Sequence, residues 1–231
     1  MKLIITRPLA DSKRMQNYFE LRGVECLINP LLEISYEKRS INFSNYDRVL
    51  LTSRHAVRSL VNKSLTFSKK KVHACGRSTY AEVREFAPEN EYIFHESVND
   101  LVDAFRSSTP IDDSKMLYLR GRDVTVDLKS IFQGTSIEIE DSVEYIAREK
   151  ILFNKEALEE FNSGRQISII IFSLRTAEIF LEALKKYNLG NKTSIIMAYC
   201  ISKNIASMLQ VKGIQSKILT EPTEDAILDL L

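Results

Sequence analysis

Two stretches of the sequence end an aliphatic run on a hydroxyl where a helical pattern begins. One is Asp47-Arg48-Val49-Leu50-Leu51-Thr52-Ser53-Arg54-His55-Ala56-Val57; the other is Ile167-Ser168-Ile169-Ile170-Ile171-Phe172-Ser173-Leu174-Arg175-Thr176-Ala177. A Ser there is a preferred N-cap, and the free backbone N–H groups and dipole of a first helical turn also favour an anion. Gly76, Thr79 and Ser202 hold comparable places in Lys71-Val72-His73-Ala74-Cys75-Gly76-Arg77-Ser78-Thr79 and Ile195-Ile196-Met197-Ala198-Tyr199-Cys200-Ile201-Ser202-Lys203. Arg7, Arg54, Arg77, Arg120, Arg122, Arg175 and Lys203 fall on the same expected edge. An arginine fork suits a carboxylate. Together these groups predict a large ligand carrying several negative charges.

Other chemistries lack their residues. There is no Gly-x-Gly-x-x-Gly, Walker lysine loop, Gly-x-Ser-x-Gly elbow or His-Glu-x-x-His, and seven glycines leave little for a Gly-rich phosphate cradle. His73 lies inside a strand pattern and His55 in a first helical turn, where packing or solvation is the expectation. His95 ends a strand pattern, with no partner visible in the sequence. Cys26, Cys75 and Cys200 show neither zinc spacing nor an even disulfide set, which fits small buried side chains in a reducing compartment. Formal charge is +1, from 32 Lys and Arg against 31 Asp and Glu, so no basic field argues for nucleic acid. The apolar run from Ile167 to Leu174 is far short of a membrane span of about 20 residues. Met1-Lys2-Leu3-Ile4-Ile5-Thr6-Arg7-Pro8 leaves no room for the apolar region of a signal peptide. A cytoplasmic protein without membrane contact is expected.

The elements that must hold these groups recur in order. The runs are too continuous for amphipathic helices and read as parallel strands buried on both faces, each entering a crossover helix. In such open sheets ligands bind beyond the strands' carboxyl ends. Leu3-Ile4-Ile5-Thr6-Arg7 parallels Met116-Leu117-Tyr118-Leu119-Arg120; each precedes a helical stretch, a Gly (Gly23, Gly134) and another strand. Tyr92-Ile93-Phe94-His95, before Ser97, parallels Lys217-Ile218-Leu219-Thr220, before Thr223. With the Arg7 type as a, its following strand as b, the Ser53 type as c, the Gly76 type as d and the last as e, the chain runs a, b, c, d, e twice. Each copy is roughly 110 residues, a normal size for a doubly wound domain. The order allows two consecutive domains, or one domain inserted into another; a single sheet of about ten strands would be unusually wide. Extra strand-like segments just after each b, Pro30 to Glu37 and Val143 to Lys150, favour insertion, because two paired crossings would form a hinge. The ligand would then lie between facing strand ends.

The combination of Ile4-Ile5-Thr6-Arg7-Pro8, Leu51-Thr52-Ser53-Arg54-His55-Ala56-Val57, Ala74-Cys75-Gly76-Arg77-Ser78-Thr79, Tyr145, Phe172-Ser173 and Glu221-Pro222-Thr223-Glu224-Asp225 resembles the uroporphyrinogen-III synthase family over essentially the entire chain. The chain departs from the family pattern at Cys200-Ile201-Ser202-Lys203, where Gly and Thr are more typical. The resemblance implies an α/β protein of two doubly wound, flavodoxin-like parallel-sheet domains joined by a two-strand hinge, one inserted in the other. The expected boundaries are 1–31 with 150–231 for the discontinuous domain, 38–142 for the inserted one, and 32–37 with 143–149 for the linker.

The resemblance also implies a reaction, the cyclisation of hydroxymethylbilane to uroporphyrinogen III with inversion of ring D and loss of water. That makes the chain a lyase of tetrapyrrole and haem biosynthesis, acting as a monomer without cofactor or metal. Its substrate, a linear tetrapyrrole with eight carboxylates, matches the polyanion inferred from the switches. The expected substrate-binding residues are Arg7, Thr52, Ser53, Arg54, Gly76, Thr79, Arg120, Gly121, Ser173, Ser202 and Lys203. Loss of the hydroxyl is driven by the pyrrole nitrogen, so the protein's task is largely orientation and charge placement. Tyr145 matches the family's tyrosine in the second crossing, and its phenol, of ordinary pKa about 10, could donate a hydrogen bond to the departing hydroxyl. A Tyr packed in a ladder would look the same in sequence. The competing reading is a non-catalytic two-domain clamp for a polyanionic metabolite.

Overall fold

The computed structural model describes residues 2–107, 114–133 and 137–231. Gly134, which the sequence reading used, lies outside them. The chain divides into two compact units, Met1–Glu33 with Arg148–Leu231, and Ile34–Ala147. The first is thus built from both chain ends, with the second inserted.

The first unit holds β1 (Lys2–Ile5), α1 (Leu9–Glu20), β2 (Cys26–Ile28), α6 (Lys155–Asn162), β9 (Ile167–Ile171), α7 (Leu174–Lys186), β10 (Ile196–Cys200), α8 (Lys203–Gln210), β11 (Gln215–Ile218) and α9 (Glu224–Leu228). Its five strands are all parallel, in the order β2-β1-β9-β10-β11. The second unit holds β4 (Arg48–Leu51), α2 (Arg54–Asn62), β5 (Lys71–Cys75), α3 (Arg77–Phe86), β6 (Glu91–His95), α4 (Val98–Ser107), β7 (Lys115–Gly121) and α5 (Leu128–Ile131). Two crossings connect the units, β3 (Leu32–Tyr36) and β8 (Glu138–Glu149). The second sheet runs β3-β8-β7-β4-β5-β6. In sequence types both sheets read b-a-c-d-e: one flavodoxin-like sheet, opened before a in the first unit and before c in the second.

Alternation along the strands explains the continuous aliphatic runs. In the first unit Ile4, Ile167, Ile169, Ile171, Ala198 and Cys200 face one core with α6, α7 and α8. Leu3, Ile5, Ile170 and Tyr199 face the other, with α1 and α9. In the second unit Val49, Leu51, Val72, Ala74, Leu117 and Leu119 pack on α2 and α3, while Leu50, Met116 and Tyr118 pack towards α4 and α5. Both faces of each sheet are mostly apolar, because helices cover both.

The crossings differ from the sequence expectation in one respect. The b strand of the second copy and the extra segment after it are one continuous strand, β8, whose first part pairs parallel with β7. Its far end meets β3, with Glu37 N–H on Glu144 O and Lys150 N–H on Leu31 O, an antiparallel pairing. The ladder to β7 is interrupted: Arg120 pairs with Val143 but Gly121 pairs with Tyr145, leaving Glu144 as an extra residue in a β-bulge.

Candidate active site

Ser53 adopts an extended backbone, φ −152° and ψ 136°, and its hydroxyl accepts the His55 N–H at 3.2 Å, capping α2. Beside it the Thr52 hydroxyl lies 3.0 Å from the Tyr118 phenol, and Arg54 opens the helix half-buried. The Tyr145 phenol lies close enough to Ser53 for that side chain to lower its pKa. Its ring lies 5.4 Å from that of His55, directly over Gly121, where a Cβ would come within 2.7 Å of Cζ and 2.9 Å of the hydroxyl oxygen. Burial pushes the Tyr145 pKa above its ordinary value, opposed by Ser53 and reinforced by Asp123.

The remaining switches of the second unit are more committed. Arg120 gives Nε and Nη2 to Asp141 at 2.6 and 2.5 Å, and Nη1 to the carbonyls of Gly121 and Arg122 at 2.9 and 3.0 Å, so its fork braces the bulge. Gly76 caps α3 with φ +80°, and its N–H goes to His95 O at 2.8 Å. Having no side chain, it leaves the amides of Arg77, Ser78 and Thr79 uncapped, the arrangement most open to an anion. Thr79 is itself buried in that first turn. Arg77 is exposed and faces Glu96 at 3.6 Å.

In the first unit Arg7 lies 3.4 Å from the buried Asp11 carboxylate and 4.6 Å over the Phe172 ring. Ser173 repeats the Ser53 cap, with φ −157° and ψ 155°, accepting the Thr176 N–H at 3.1 Å. Ser202 does the same for Ile205 N–H at 3.4 Å, followed by the exposed Lys203. The departure at Cys200-Ile201-Ser202-Lys203 has a plain geometry. Ile201 adds a residue between strand and cap, so Ser202 turns at φ −152° where Gly76 needs a positive φ.

Sequence reasoning missed the partners of these groups. Tyr118, Asp141 and Glu144 carried no local signal. Gly121 did carry one, because a glycine at a strand's end marks a close approach. His95 does have a partner: His73 Nδ1 at 3.1 Å, with Arg48 Nη1 3.2 Å from His73 Nε2, all three buried.

The model of the family described as Uroporphyrinogen-III synthase HemD matches residues 13–229. Among solved structures, a uroporphyrinogen-III synthetase from Helicobacter pylori shares 19% identity at a TM-score of 0.64, covering 100% of this chain and 98% of that one. A mutant uroporphyrinogen III synthase from Thermus thermophilus shares 14% at 0.59, covering 100% and 97%. At these identities the likeness bears on the fold, the two-domain α/β architecture described above. No curated protein matches the chain significantly. The family match takes in every strand but β1, together with both crossings, and the chain belongs to the uroporphyrinogen-III synthase family.

Proposed function

We propose that Tyr145 acts in the family's reaction by donating a hydrogen bond from its phenol to the departing hydroxyl of hydroxymethylbilane. The reaction itself follows from the family: the chain is a lyase of haem biosynthesis that cyclises hydroxymethylbilane to uroporphyrinogen III. The pyrrole nitrogen pushes the hydroxyl off the terminal carbon, leaving an azafulvene that the far ring attacks. A spiro intermediate then fragments and recloses with ring D inverted. The observation that carries the Tyr145 reading is its phenol, seated over Gly121 with its ring 5.4 Å from that of His55 in the first turn of α2. A phenol with a raised pKa stays protonated through the physiological range. It can therefore donate to the leaving oxygen without being lost as a donor.

Each unit supplies helix starts for the substrate's carboxylates: Ser53 and the uncapped turn after Gly76 in one, Ser173 and Ser202 with Lys203 in the other. What supports this is the backbone geometry of those turns, with their amides at the strands' carboxyl ends. Arg7 and Arg54 add charge at the same ends, while Arg120 acts through the bulge it braces. The proposed setting is a monomer in the cytoplasm; three free cysteines suit a reducing compartment, and no helix among the described residues is long and apolar enough to cross a membrane.

The test is to supply freshly made hydroxymethylbilane to the wild type and to Tyr145→Phe, then separate the oxidised porphyrin isomers. The wild type should yield isomer III. The variant should stay folded and leave mostly isomer I, the spontaneous product. Wild-type turnover by Tyr145→Phe at saturating substrate would remove the phenol from the mechanism, and isomer I alone from the wild type would favour a binding clamp.

A further inference from the structure

Tyr145 owes its place to the residue before it. In an unbroken ladder Glu144 would pair with Gly121; the bulge hands that place to Tyr145. A slip of one residue there would turn Tyr145 to the opposite face of the sheet, away from Ser53. Glu144 is fully buried. Its carboxylate receives Lys63 Nζ at 2.5 Å and the Ser142 hydroxyl at 2.8 Å. The Ser59 hydroxyl stands 3.0 Å from the same carboxylate and 2.9 Å from the Glu144 carbonyl. Lys63 Nζ is fixed in turn by Arg39 O at 3.1 Å.

His55, Ser59 and Lys63 follow one another at every fourth position, so they form one stripe along α2 and its C-cap. That stripe runs along the bulge. His55 lies against the Tyr145 ring, Ser59 reaches the backbone and carboxylate of Glu144, and Lys63 closes on the carboxylate. A buried ion pair is a poor source of stability, because the cost of desolvating both charges offsets their attraction, and fixing a register is its best-attested use.

We propose that Glu144, gripped by Ser59 and Lys63, is a positioning residue that fixes the bulge register and so aims the Tyr145 phenol at the reacting centre. The proposal rests on the role assigned to Tyr145 above. It is tested by measuring kcat and KM with hydroxymethylbilane for Glu144→Gln and Ser59→Ala, each alone and combined with Tyr145→Phe. The His55–Tyr145 ring contact is followed by NMR in the same proteins that retain Tyr145. Ser59→Ala removes no charge, so it carries the test if Glu144→Gln does not fold.

In the folded variants kcat should fall about tenfold with KM within about twofold, the cost of a misplaced catalytic group. The ring contact should be lost, and the kcat effect should vanish in the Tyr145→Phe background. An intact ring contact with wild-type kcat, or an undiminished kcat effect without the phenol, overturns the proposal. If Tyr145→Phe alone turns over normally, it is the reading of Tyr145 that fails; loss of the ring contact would still establish Glu144 as the determinant of the Tyr145 position.

Discussion

The Tyr145 ring rests on the α-carbon of Gly121, close enough that a methyl group there would stand 2.7 Å from Cζ. Two adjacent strands are thereby fitted to each other through one missing side chain. The Gly121 backbone is also tied down by Arg120, whose Nη1 takes the Gly121 carbonyl while Nε holds Asp141. Of the two partners, the ring is the freer to move.

Gly121→Ala should therefore displace the phenol rather than the strand. We expect turnover to fall by one to two orders of magnitude, as for a catalytic group moved by about 1 Å, while the midpoint of thermal unfolding changes little. Steady-state kinetics paired with calorimetry decides it. Full activity in Gly121→Ala would mean that the phenol's position does not matter.

Ser53 caps a helix and lowers the pKa of the Tyr145 phenol, whereas Thr223 only caps a helix, accepting the Ala226 N–H at 3.2 Å. Alanine at either position should cost about 1 kcal/mol of stability. Only Ser53→Ala should also lose turnover and raise the Tyr145 pKa, a difference readable by comparing unfolding curves with rates. Equal loss of rate in Thr223→Ala would reduce the effect to instability.

Ser173→Asp and Ser202→Asp separate capping from anion binding. Aspartate caps a helix as well as serine does, and its charge suits the dipole, so stability should hold or rise by a few tenths of a kcal/mol. A carboxylate there would repel one from the substrate. KM should rise about tenfold or more, the cost of one lost charge-assisted contact of about 1.5 kcal/mol. An unchanged KM in both variants would exclude these helix starts from substrate binding.

Acid should loosen the inserted unit through its buried histidines. Arg48 can only donate, so His73 Nε2 accepts, His73 carries its proton on Nδ1, and that proton is donated to His95 Nε2. Protonating either ring breaks the chain. Burial, then the neighbouring His95, Arg48 and Lys71, lower the His73 pKa to about 3, and burial lowers that of His95 against the pull of Asp100. In the unfolded chain both return to about 6.5. Below about pH 6.5 the unfolded state binds more protons, so this stability is complete above about pH 6.5 and is lost as pH falls, for His73 down to about 3, by at most about 1.4 kcal/mol per pH unit for each group that titrates. Urea unfolding from pH 7 to pH 4 should show this slope, reduced in His95→Gln. A flat profile for the wild type would show that the chain accepts protons without cost.

The helix starts were legible because each is a local event. Ser53, Ser173, Ser202 and Thr223 all bond an amide within three residues of themselves, so residue type and position suffice to foresee them. The aliphatic runs likewise announced sheets buried on both faces, and the repeated order of strand types, read with the family resemblance, announced the two flavodoxin-like sheets. Gly76 and Ser202 began as a family residue and a departure from it; the extra Ile201 makes them two solutions to the same turn.

Contacts between strands and helices were not legible, because hydrogen bonding and packing there depend on which elements the fold makes neighbours. His73 and His95 are adjacent only because β5 pairs with β6. The arginine at position 120 looked like an open fork until β8 brought Asp141 beside it. Sequence alone determined that this chain would place hydroxyls and amides at the carboxyl ends of two parallel sheets. Tertiary structure decided that Tyr145 sits over Gly121 and beside Ser53, because the bulge at Glu144 shifts the ladder by one residue and the α2 stripe of His55, Ser59 and Lys63 holds it there.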